Sequence, residues 1–160
     1  MEEKIIELEV GDIKAAASPK ILYSGGLGPC VAVAAYDQKN KLGYMVHDPA
    51  PEATNHLRDF LQLVEEKSGN NFRDISGLVC YVAGGSLTGF ECIGGENESI
   101  QNSKRIVEQE LSAKFRNVKF SWSPLNHVAE LYLNTANGKF DLIMNPEFYF
   151  KGYGSYDEKY

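Results

Sequence analysis

Cys30 is the residue of this chain whose surroundings best suit a nucleophile. It closes the segment 24–30, SGGLGPC, in which three glycines and a proline precede an apolar run. Glycine permits tight turns and leaves room for a substrate, so we expect this loop to present the thiol at the edge of a sheet. Gly28 and Pro29 belong to the part of the loop that would hold an oxyanion. Because proline has no N–H, the Cys30 N–H is the expected donor.

His47 is the expected partner of that thiol. A free cysteine is only a minor fraction ionised at neutral pH, so its nucleophilic chemistry needs a neighbouring base. The imidazole in turn needs a third group that fixes its tautomer, and a hydroxyl can serve as well as a carboxylate. Ser24, at the mouth of the loop, is the favoured candidate, and Asp48 is the less favoured one.

A predicted hairpin brings the cysteine and the histidine together. Residues 31–36 form an apolar run of the length of a buried strand, residues 37–40 a turn, and residues 41–47 the return strand. This pairing delivers His47 to the end of the hairpin where Cys30 enters. The local sequence leaves a second interpretation open, in which Cys30 is a small buried hydrophobe.

The other cysteines and histidines fit structural roles. Cys80, inside the apolar run 77–82, and Cys92 are typical of buried packing positions. His56 on a predicted helix and His127 in a predicted polar loop are typical of surface or capping positions. The spacing of these residues matches no metal site, so neither a metal nor a cofactor is expected.

The remaining pattern predicts a single α+β domain over residues 1–146. Amphipathic helices begin near Asn55 and after the N-cap Asn97, and Gly84-Gly85 ends a strand in a sharp turn or a close backbone approach. Further strands are predicted at residues 4–10, 20–23, 77–82, 118–122, 130–134 and 139–144. This order favours stacked, mixed and largely antiparallel sheets flanked by helices. Residues 147–160 form an aromatic and glycine-rich tail without an assignable period.

Composition narrows the class of protein. A net charge of -6 and a pI near 5.1 disfavour non-specific binding to nucleic acid or to anionic membranes. The N-terminus lacks a secretory pattern, and no later run reaches the roughly 18 apolar residues of a membrane span. Three cysteines make no disulfide framework, which suits a reducing compartment. We therefore expect a cytoplasmic protein.

The loop, the strand and the histidine together resemble the chemoreceptor glutamine deamidase family CheD. The signature of that family is a Thr-x-Gly-Leu-Gly-Ser-Cys loop, a hydrophobic strand and a histidine, which residues 24–30, 31–37 and 43–47 follow. VAGG at 82–85 and IGGEN at 93–97 resemble the family's glycine pair and helix entry. The likeness spans most of residues 5 to 144.

Three departures from the family pattern stand out. Pro29 replaces the usual serine, and Gly43 stands alone where the family commonly has two glycines. Residues 126–130, NHVAE, lack the glycines and the arginine that the family has before its last strands.

The resemblance implies a reaction and roles for three residues. Cys30 would be the nucleophile, His47 the general base and acid, and Ser24 would replace the threonine that orients the histidine. The implied fold is shared with the catalytic domain of cytotoxic necrotizing factor toxins. The implied substrate is a protein glutamine, in a chemoreceptor, and the implied partner is a CheC-like phosphatase. Two alternatives stay open: a deamidase or transglutaminase with another protein target, and a catalytically silent binding module in chemotaxis signalling.

Overall fold

The computed structural model describes residues 4–68 and 74–147 as one α+β domain. Its strands are β1 (Ile5–Leu8), β2 (Ile13–Ala17), β3 (Ile21–Leu27), β4 (Val31–Asp37), β5 (Leu42–Asp48), β6 (Val79–Gly84), β7 (Asn117–Trp122), β8 (His127–Asn134) and β9 (Lys139–Pro146). Its helices are α1 (His56–Ser68) and α2 (Glu98–Lys114), with a short 3₁₀ helix at Gly89–Cys92. None of the helices described is long and apolar enough to cross a membrane.

The strands form two sheets. One has the order β1-β3-β8-β9 and the other the order β2-β5-β4-β6-β7. The β1–β3 and β6–β7 pairs are parallel and the other pairs are antiparallel. The prediction of mixed, largely antiparallel sheets is therefore confirmed.

The two sheets stack face to face. The apolar layer between them contains Leu22 and Leu131 from the four-stranded sheet, and Ala32, Ala34 and Met45 from the five-stranded sheet. The side chains of β4 and β5 alternate between this layer and the opposite face. All seven residues of β4 are buried, as expected of a central strand that is covered on both faces.

The helices cover the other face of the five-stranded sheet. The apolar face of α1, Leu57, Phe60, Leu61 and Val64, is buried there, as its helical spacing predicts. In α2, the Asn97 side chain accepts a hydrogen bond from the Ile100 N–H, which confirms the predicted N-cap. Of the tail predicted at residues 147–160, only Glu147 lies within the described residues.

Candidate active site

The β4–β5 hairpin brings Cys30 and His47 to the same end of the sheet. Ala32 lies directly opposite His47 in the antiparallel register, and Val31 lies opposite Asp48. Cys30, two residues before Ala32, is therefore diagonal to His47, a relation that separates Cα atoms by roughly 7–8 Å. Cys30 packs against the layer between the sheets, and His47 follows Met45 of that layer by two residues. Both side chains thus belong to the inter-sheet face.

Ser24 reaches His47 from the other sheet. Its Oγ lies 2.8 Å from His47 Nδ1, and both residues are buried. If Nδ1 carries the ring proton and donates it to Ser24, Nε2 is left as the basic nitrogen. Nε2 is buried and has no hydrogen-bond partner among the residues described. The imidazole is thus held at one nitrogen, while the other is available to a proton donor.

A bulge in β3 shapes the start of the glycine-rich loop. The pairing of β3 with β8 shifts between Ser24 and Leu27, so that Gly25 and Gly26 together face the single residue Glu130 and β3 carries one extra residue. Gly26 has a φ of +64°, and a Cβ at Gly25 would overlap the Tyr23 hydroxyl, which donates to Glu130 at 2.5 Å. The segment from Ser24 to Leu27, predicted as loop, is therefore strand, because the bulge lets glycine-rich backbone stay paired.

The end of β6 supports the loop that carries Cys30. The Gly85 N–H donates to the Cys30 carbonyl at 3.0 Å, and the Ser86 N–H donates to the Gly28 carbonyl at 2.8 Å. Gly84 has a φ of +99°, and a Cβ at this position would overlap the Cys30 oxygen. The predicted close backbone approach at Gly84-Gly85 is confirmed, and it fixes the position of Cys30.

The turn between β1 and β2 holds the main chain of His47, a contact that the sequence analysis missed. The Gly11 N–H donates to the His47 carbonyl at 2.8 Å, and the His47 N–H donates to the Asp12 carbonyl at 3.0 Å. The Gly11-Asp12 pair is typical of turns, and Gly11 has a φ of +88°. That pair was the available signal, but the sequence does not say which strand the turn would meet.

Burial affects the proton affinities of both groups. Burial raises the pKa of the Cys30 thiol, the Asp48 carboxylate raises it further, and the Cys30 N–H acts in the opposite direction. Burial lowers the pKa of His47, against smaller opposing effects of Asp12 and Asp48. These shifts favour a neutral thiol beside a neutral imidazole, so the arrangement suits proton transfer during attack better than a preformed ion pair.

Asp48 does not orient His47. Its Oδ1 accepts hydrogen bonds from the Ala50 N–H at 3.0 Å and from the Thr54 hydroxyl at 2.8 Å, ahead of α1. As the residue after His47 in β5, it projects to the opposite face of the sheet. The hydrogen bond with His47 Nδ1 is therefore made by Ser24, the favoured of the two candidates.

The other two cysteines and two histidines occupy a core position, a 3₁₀ helix, a helix start and a strand start. Cys80 is fully buried in the core beneath the helices, as expected of a packing residue, whereas Cys92 is half-buried and its thiol donates to the Gly89 carbonyl at 3.0 Å. His56 is the first residue of α1. His127 begins β8 instead of lying in a loop, because the β8–β9 pairing extends to His127 opposite Pro146.

Sequence comparisons match parts of this chain to several proteins that carry the same name. No protein-family model matches the chain. Over 54 residues it is 44% identical to the probable chemoreceptor glutamine deamidase CheD of Clostridium acetobutylicum, which covers 32% of each chain. Over 92 residues it is 32% identical to the protein of the same name from Syntrophomonas wolfei, covering 52% of this chain and 57% of the relative.

A more distant relative matches over a longer stretch. The probable chemoreceptor glutamine deamidase CheD of Haloarcula marismortui is 25% identical over 111 residues, or 64% of each chain. The chain therefore matches less than two thirds of the length of each of these relatives.

Proposed function

Since the chain is CheD-like, we propose that it is a cysteine-dependent protein-glutamine deamidase, with Cys30 as nucleophile and His47 as general base and acid. One observation carries the proposal. Ser24 engages His47 Nδ1 at 2.8 Å, while Nε2, on the inter-sheet face shared with Cys30, has no partner in the described part of the chain. A buried imidazole with one nitrogen held and the other free is suited to proton transfer.

The first half of the reaction forms a thioester. His47 Nε2 takes the thiol proton as the Cys30 sulfur attacks the carbon of the glutamine carboxamide. The Cys30 N–H, beside Gly28 and Pro29, donates to the oxyanion of the tetrahedral species. The protonated His47 then gives its proton to the leaving nitrogen, the C–N bond breaks and ammonia departs.

The second half releases glutamate. Water loses a proton to His47 and its oxygen attacks the thioester carbon, after which the C–S bond breaks and the proton returns to the Cys30 sulfur. The net change is glutamine plus water to glutamate plus ammonia. The hydroxyl of Ser24 keeps the ring proton on Nδ1 throughout, so that Nε2 can act first as base and then as acid.

We propose a chemoreceptor as the protein that carries the glutamine, since the relatives are named chemoreceptor glutamine deamidases. The test incubates the purified chain with a chemoreceptor cytoplasmic fragment and reads the replacement of amide by carboxylate by peptide mass spectrometry. We expect conversion by the wild type and none by Cys30→Ala or His47→Ala. A fragment that stays unconverted under all conditions would overturn the proposal.

The same assay separates the alternatives. Incorporation of a dansyl-labelled primary amine into the glutamine, in place of hydrolysis, would indicate a transglutaminase. Binding of the fragment without any conversion would indicate a silent binding module. A CheC-like phosphatase stays a proposed partner, and co-purification with the full chain tests it.

A further inference from the structure

Ser24 stands between regularly paired strand and the bulge in β3. β3 and β8 pair residue by residue as far as Ser24 opposite Leu131, and pairing resumes at Leu27 opposite Ala129. Between Ser24 and Leu27 lie two glycines, the residue type with the greatest backbone freedom. The hydroxyl that contacts His47 is therefore carried by backbone that the strand pairing holds on its N-terminal side only.

Tyr23 closes over this bulge on the opposite face of the sheet. Leu22 and Ser24 are buried between the sheets, so Tyr23 projects to the outer face. Its ring lies directly against Gly25, because a Cβ at Gly25 would be 2.2 Å from the Tyr23 hydroxyl oxygen and 2.8 Å from the ring carbon that carries it. The two chain neighbours of Ser24 are therefore packed against each other.

Glu130 holds the Tyr23 ring in that place. The Tyr23 hydroxyl donates to Glu130 Oε1 at 2.5 Å. Tyr23 lies opposite Tyr132, so Glu130 is its diagonal neighbour on β8, within reach of an aromatic side chain. The ring centroids of Tyr23 and Tyr132 are 4.5 Å apart, which restrains the ring further. The hydrogen bond to Glu130, together with burial, raises the pKa of Tyr23, so the hydroxyl keeps its proton through the neutral range.

We propose that Tyr23 is a positioning residue for the reaction: its hydrogen bond to Glu130 holds the bulge in the shape that places the Ser24 hydroxyl against His47 Nδ1. Bulges beside active sites commonly re-aim a side chain. Tyr23 and Ser24 are on opposite faces of β3, so Tyr23 acts on His47 through the backbone of Ser24. The inference rests on the proposed role of His47 as the base.

The test measures the tautomer of neutral His47 in the full chain by ¹⁵N NMR, which distinguishes a protonated ring nitrogen from an unprotonated one. Tyr23→Phe keeps the ring over Gly25 and removes the donor. We expect the ratio of Nε2-protonated to Nδ1-protonated His47 to rise roughly three- to tenfold, the range that one hydrogen bond controls. Glu130→Ala removes the acceptor and should give the same rise. Glu130→Gln keeps an acceptor oxygen and should keep the wild-type ratio.

Tyr132→Phe is the matched control. It removes a hydroxyl from the ring that packs on Tyr23 and leaves the bond between Tyr23 and Glu130 in place, so the ratio should stay at the wild-type value. Circular dichroism identifies the variants that fold. A wild-type ratio in folded Tyr23→Phe or Glu130→Ala, or an equal rise in Tyr132→Phe, overturns the proposal. The measurement needs no substrate, so this proposal and the proposed deamidation can fail separately.

Discussion

The Ser24 hydroxyl and Nδ1 of His47 are 2.8 Å apart, and this contact joins the two stacked sheets. Ser24 belongs to β3 of one sheet and His47 to β5 of the other. The hydroxyl that contacts the proposed base is therefore held in place by how the sheets pack, not by the hairpin alone. The sheet-to-sheet layer of apolar side chains holds that distance, since close-packed interiors resist small displacements.

Ser24 should be needed mainly for the rate of the proposed reaction. Ser24→Ala leaves the buried Nδ1 without its partner, and a hydrogen bond worth about 1–3 kcal/mol to the transition state corresponds to roughly a 5- to 150-fold fall in kcat. Ser24→Thr keeps a hydroxyl, and threonine stands at this position in the CheD family that the chain resembles. This variant should therefore retain most of the activity. Steady-state deamidation kinetics separate the two variants. Equal losses in both would argue against a hydroxyl that orients the base.

The pH profile of kcat/KM should be broad. Because burial lowers the pKa of His47, the base stays neutral below the ordinary histidine range, and the acid limb moves to lower pH. Because burial and Asp48 raise the pKa of the Cys30 thiol, the alkaline limb moves above the ordinary cysteine range. The profile is measured in buffers of constant ionic strength. A narrow bell whose two limbs lie at the ordinary pKa values of histidine and cysteine would contradict these shifts.

Gly84 should tolerate no side chain. Its φ of +99° and the contact with the Cys30 oxygen predict that Gly84→Ala costs about 3 kcal/mol. In a chain of this length that lowers Tm by roughly 6–12 °C, and the displaced loop should lose activity as well. Gly94→Ala is the matched control, since a Cβ there meets nothing within 4 Å. Thermal unfolding followed by circular dichroism measures the Tm of both variants. A Tm unchanged by Gly84→Ala would contradict the close approach of Gly84 to the Cys30 oxygen.

Cys80 and Cys92 should be dispensable for the reaction. Cys80 is fully buried and burial raises the pKa of its thiol, so it should react with iodoacetamide only after unfolding. A Cys80→Ala and Cys92→Ala double variant should therefore keep the proposed deamidase activity, at some cost in stability from the Cys80 cavity. Loss of activity in a folded double variant, with Cys30 intact, would point to a different nucleophile.

Much of the site could be predicted because it depends on neighbouring strands. The apolar run of β4, the turn after it and the return strand define a hairpin, and a hairpin places Cys30 near His47 whatever surrounds it. The hydroxyl at Ser24 was the favoured orienting group, and the structure brings it to His47. The sequence predicts that β3 ends before Ser24, because Gly25 and Gly26 are typical of a loop. In the structure these glycines form a bulge, and the strand continues through them.

The remainder depends on contacts between distant segments. The sequence of β2, IKAAA, has little β propensity, and the strand forms because it pairs with the edge of β5. The contact of the Gly11 turn with His47 follows from that pairing. The hydrogen bonds that the Ala50 N–H and the Thr54 hydroxyl donate to Asp48 also appear only in the structure.

Trapping of the acyl group on Cys30 tests directly whether this cysteine is the nucleophile. A glutamine-containing receptor fragment is incubated with the chain and hydroxylamine, which intercepts a thioester as a hydroxamate. We expect hydroxamate with the wild type, no hydroxamate with Cys30→Ala, and a thioester on the peptide that carries Cys30 after rapid acid quench. Conversion of glutamine to glutamate without hydroxamate, or an acyl group on Cys80 or Cys92, would contradict it.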